Sequence, residues 1–70
     1  MAVLIGMAQQ IISEVRRAVR ESDWCTVEYG LGLLLSRATE LPWAYALSVP
    51  HDAPARTVAR IEAFNAALAA

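Results

Sequence analysis

Few side chains in this sequence could do chemistry. The sole histidine, His51, stands beside Asp52 between Pro50 and Pro54. A proton relay needs an imidazole oriented by groups from separate elements. Adjacent residues in a proline-flanked loop read instead as turn and cap chemistry. One histidine and one cysteine, Cys25, fall short of the ligand number of a zinc site. Glu14, Glu28, Glu40 and Glu62 are scattered over helical stretches with nothing to force a pair, and Gly30-Leu31-Gly32 lies inside an apolar run, where it cannot cradle a phosphate. The expectation is a protein that binds a macromolecule and is not an enzyme, with no metal, no cofactor and no small-molecule substrate.

Such a protein needs a scaffold, and 70 residues supply one domain near the lower limit for a self-supporting core. Apolar residues make up 57% of it, more than so small an interior absorbs, although fourteen alanines swell the figure. The surplus suggests a covered face and hence a homodimer. The nearly all-apolar start, residues 1–8, is the expected contact. Net charge is −1, from six arginines, no lysine and seven acids, so the basic stripe of a free-standing DNA-binding domain is missing. A lone cysteine cannot close an internal disulfide, which points to a reducing compartment, the cytoplasm. The longest charge-free stretches, Met1–Ser13 and Leu41–Pro50, fall short of a bilayer crossing, and the first lacks the pattern of a secretory leader.

The periodicity predicts an all-α fold of four short helices. The first, about Ala2–Arg20, sets Leu4, Ala8, Ile11, Ile12, Val15, Ala18 and Val19 on one side, with Arg16, Arg17 and Arg20 in its last turns. Glu21-Ser22-Asp23 breaks the pattern and caps a second helix, about Trp24–Ala38, with Val27, Leu31, Leu34 and Leu35 inward and Tyr29 and Leu33 alongside. Gly30 and Gly32 within it suggest a close helix–helix approach, because glycine otherwise weakens a helix. Pro42 forces a boundary near Thr39–Leu41 and fits the first turn of a third helix carrying Trp43, Ala44, Ala46 and Leu47. Asp52 then caps a last helix, with Pro54 in its first turn and Val58, Ile61, Phe64 and Leu68 as its stripe.

From Thr26 onward the spacing resembles the helix-turn-helix of the phage Cro and repressor family. Tyr29-Gly30 supplies the apolar-then-small pair, and Leu33 and Leu35 the next apolar positions. Ser36-Arg37-Ala38-Thr39 opens the recognition helix, and Trp43 stands where that family often has an apolar or aromatic residue. Pro54 to Phe64 looks like the closing helix, so the likeness covers about Ile12 to Phe64. The departures fall on the reading head. Leu34 stands where the turn normally has glycine, and Glu40 falls on a position the family buries. Pro42 interrupts the recognition helix, and from Ala38 to Ala55 there is no arginine, lysine, asparagine or glutamine to read a base edge.

Two functions follow. In one, a helix-turn-helix regulator has turned its second and third helices into a protein-binding surface, as in a phage-type inhibitor of a host protein. Trp24, Leu41, Trp43, Tyr45 and Leu47 are then the candidate contacts. In the other, a dimer binds DNA through Arg16, Arg17, Arg20, Arg37, Arg56 and Arg60. Among the aromatics, a small core would draw in Trp43 and Phe64, leaving Trp24 and Tyr45, which lie off the strongest stripes, more exposed.

Overall fold

Ala8, Ile12, Val15 and Ala18 recur every three or four residues and are all buried, so the first helix presents one continuous stripe to the interior. A computed structural model describes the backbone of residues 2–69 and the side chains of residues 6–69. The helix, α1, spans Ala2–Arg20 as expected. The expected oligomer contact at residues 1–8 lies largely outside the described side chains; within it, Met7 is exposed and Ala8 buried.

Helix α1 stops through a left-handed residue. Ser22 has φ 57°, Asp23 N–H donates to Ala18 O at 2.8 Å, and Ser22 N–H donates to Val19 O at 3.2 Å. This paired closure satisfies the last carbonyls, with serine at a place glycine usually takes. Asp23 then caps α2 (Trp24–Leu35), accepting from Thr26 N–H at 3.3 Å and Thr26 Oγ1 at 2.6 Å. These bonds hold its carboxyl below the usual range. The connection is therefore tight, and α2 runs back along α1. The expected close approach is at Gly30, where a Cβ would collide with Val15 Cγ2; Gly32 has nothing near it.

The remaining chain departs from the expectation of four helices. Three α-helices are present, with no strand among the described residues, and α2 ends at Leu35, short of Ala38. In place of the third helix there are two single 3-10 turns, Ala38–Glu40 and Trp43–Tyr45. The expected boundary is there: Leu41 is extended at φ −102°, ψ 150°, and Pro42 follows at φ −70°, ψ 151°. Beyond it no α-helix forms: the single 3-10 turn ends at Ala46, which is already extended at ψ 144°.

Helix α3 (Ala55–Ala69) starts two residues later than an Asp52 cap implies, and Pro54 lies before it, not in its first turn. Pro54 precedes it and accepts Val58 N–H at 3.0 Å, while Asp52 is no cap and accepts Ser22 Oγ at 3.2 Å. Thr57, Ile61 and Phe64 form its fully buried stripe, with Val58 and Leu68 half-buried at the margin. Phe64 is thus core, as expected. Among the described residues no helix is long and apolar enough to cross a membrane.

Candidate functional site

Because the connector between α2 and α3 has little regular hydrogen bonding of its own, the helices hold it in place. Leu47 N–H donates to Asn65 Oδ1 at 2.9 Å, and Asn65 Nδ2 donates back to Leu47 O at 2.8 Å. One α3 side chain thus replaces a backbone partner in both directions. From the other side, Arg16 of α1 donates to Ala44 O at 2.9 Å. Leu41, Tyr45 and Leu47 turn inward along this anchored stretch and join the core. Trp43 does not: 60% of its surface is exposed, on a turn that Arg16 holds at the next residue, Ala44.

This reverses the expected order of the aromatics. Tyr45 is 8% exposed and Trp43 is the outward one. In an α-helix Trp43 and Leu47, four apart, would share a face; a 3-10 turn followed by extended residues uncouples them. Of the five expected protein contacts, Leu41, Tyr45 and Leu47 are core and Trp24 is half-buried against it. Trp43 alone presents itself. The Tyr45 hydroxyl is buried without a hydrogen-bond partner among the described residues.

The six arginines are dispersed, and most are engaged. Arg17 bridges Glu14 at 2.8 Å and Glu21 at 2.7 Å, and the bond to Glu14 raises its pKa. Glu28 of α2 accepts from Arg56 Nε at 3.0 Å and from the buried Thr57 hydroxyl at 3.0 Å, with Arg60 at 3.4 Å. The bonds from Arg56 and then Thr57 push the Glu28 carboxyl down. This cluster ties the start of α3 to α2 and gives Thr57 its partner. Arg16 holds Ala44, so only Arg20 and Arg37 are without an ion pair or side-chain hydrogen bond among the described residues. The segment Ser36-Arg37-Ala38-Thr39, expected to open a recognition helix, is a turn leading into a 3-10 turn, so no α-helix projects Arg37.

A second surface lies on the outer side of α1 and α2. An open groove of about 360 Å³ runs between Ile11 and Glu14 of α1 and Thr26, Tyr29, Gly30 and Leu33 of α2. Tyr29 is 72% exposed and Leu33 45%. The sequence places both beside the α2 stripe, as apolar positions of the helix-turn-helix resemblance and not as contacts. The available signal was their i, i+4 spacing off a helix face already filled by Val27, Leu31 and Leu34. Asn65 was missed altogether, although an asparagine inside an alanine-rich helix is out of place unless its amide has a task.

His51 and Cys25 are both exposed, and no group of three histidine, cysteine, aspartate or glutamate side chains comes together among the described residues. Comparison with protein-family models, with curated proteins and with solved structures finds no match to this chain.

Proposed function

We propose that this domain is a protein-interaction module that presents Trp43 to a partner protein. The observation that carries the reading is the 60% exposure of Trp43 on a connector that Arg16 holds at Ala44 and Asn65 holds at Leu47. Tryptophan dominates binding energy where it enters a partner's pocket, and a turn already held in place loses little freedom on docking. Three inward neighbours in the same short segment make the outward Trp43 the segment's own contact. The likeness to the Cro and repressor family supplies the class: a helix-turn-helix-derived regulator, of the phage-type inhibitor kind, acting on a host protein in the cytoplasm by binding and not by catalysis.

The second reading, a dimeric DNA-binding regulator, rests on Arg20 and Arg37, the two arginines without an ion pair or side-chain hydrogen bond among the described residues. Phosphate contacts by two side chains give weak, salt-sensitive association with any duplex.

A photo-reactive phenylalanine analogue at position 43, with the same group at exposed Ala59 as control, tests the first reading in cells. The expected result is one discrete cross-linked protein from position 43, suppressed by excess wild-type chain but not by Trp43→Ala. Equal cross-linking from both positions, or cross-links to nucleic acid alone, would overturn it.

A further inference from the structure

The groove between α1 and α2 is separate from the Trp43 face. Glu14 lines the groove and Arg16 reaches the connector. Two residues apart on a helix, they project about 160° from one another. The groove therefore belongs to the opposite side of α1 and needs an occupant of its own.

We propose that this occupant is a second copy of the same chain, docked about a two-fold axis so that Tyr29 of each copy packs on Leu33 of the other. Charge is the first argument. Residues 2–13 and 29–36 contain no charged residue, and the packing of Gly30 against Val15 and Ile11 lays the two stretches side by side. A two-fold contact sets a patch against itself, so any net charge on it is met by its like. A patch without charge meets itself free of repulsion. The one acid in the groove lining, Glu14, is held by Arg17 at 2.8 Å.

Area is the second argument. The 12 residues of α2, the shorter of the two helices, set the length of the shared face at roughly 18 Å. Two helices packed side by side offer a face about 20 Å wide. The product, about 360 Å² per copy, is below what stable interfaces bury and in the range of weak, transient contacts. The dimer is therefore one that forms only as concentration rises.

The contact itself has the right residues. Tyr29 and Leu33 are one turn apart on the exposed face of α2, with open space over Gly32 beside them. An antiparallel crossing of the two α2 helices brings each tyrosine over the partner's leucine, and the residues repeat across the axis as such symmetry requires.

Sedimentation equilibrium across the micromolar range tests this, with circular dichroism as the fold control. The wild-type chain is expected to pass from monomer to dimer. Tyr29→Arg and Leu33→Glu, both at exposed positions, should each raise the dissociation constant at least about tenfold. Mixed together, the two variants should dimerise again, because one contact gains an ion pair and the other keeps its native tyrosine and leucine. A wild-type chain that stays monomeric would assign the groove to a different protein and overturn the proposal, leaving the Trp43 reading untouched. A dimer indifferent to both substitutions would overturn it too, as would a mixture of folded variants that remains monomeric.

Discussion

The α1–α2 hairpin and the connector that follows it are both rich in apolar residues, yet they handle them in opposite ways. The hairpin forms from local signals: a periodic stripe, a left-handed Ser22, an Asp23 cap and a glycine at the closest approach. With its inner stripe filled, it has Tyr29 and Leu33 left over on the outside. The connector has almost no local structure and turns Leu41, Tyr45 and Leu47 inward, held by side chains 18 and 28 positions away. Exposure on a regular helix is a remainder of its periodicity. On an irregular segment it is decided by whatever holds the segment down.

The largest expected effect separates the two regions directly. Leu41→Ala and Leu47→Ala each remove a buried side chain and should lower stability by about 2–5 kcal/mol, which in a domain this small approaches the whole stability. Tyr29→Ala and Leu33→Ala should stay within about 0.5–1 kcal/mol, as surface substitutions do. Urea unfolding of the monomer reads both; equal losses would erase the distinction.

Next in size are two substitutions two residues apart with opposite signs. Gly30→Ala drives a methyl group into Val15, which should cost about 1–3 kcal/mol of overpacking. Gly32→Ala meets nothing and should gain up to about 1 kcal/mol from helix propensity. Thermal melts of the pair would sharpen where α1 and α2 touch, and matching signs would place the contact elsewhere.

The smallest effect is on pH. The Glu28 and Asp23 carboxyls are both lowered in the folded state, Glu28 by Arg56 and Thr57, Asp23 by Thr26. A lowered carboxyl adds stability that is complete above its unfolded pKa, about 4, and that drains away as pH falls through the folded value. Melting temperature should therefore be flat near neutrality and fall on the acid side. Glu28→Gln should flatten part of that acid limb. An acid limb unchanged by Glu28→Gln would remove this carboxylate from the α2–α3 junction.

Much of the hairpin was legible in the sequence, and much of the connector was not. The bounds of α1, the Asp23 cap, the close approach at Gly30 and the break before Pro42 follow from rules that act within a few residues. So does Phe64, which continues an i, i+3 stripe from Ile61. The expected third helix is absent although its apolar residues fit a helical period: the backbone of Ala44 and Leu47 bonds to Arg16 and Asn65. The aromatics were inverted for the same reason. That Tyr45 is core and Trp43 is not depends on Asn65 and Arg16, partners that no local pattern names. The ion pairs that Glu14, Glu21 and Glu28 make with Arg17, Arg56 and Arg60 likewise depend on how the helices meet and turn, which the count of arginines does not reveal.

The central claim is that Trp43 faces solvent on the side of α1 opposite the groove. Acrylamide quenching of Trp43 fluorescence in a Trp24→Phe chain tests it most directly, followed from dilute protein to concentrations where self-association is complete. The account predicts quenching close to that of a free indole in dilute protein, unchanged as the protein associates. Shielding at every concentration would put Trp43 in the core, and shielding that grows with association would place the self-contact on the connector.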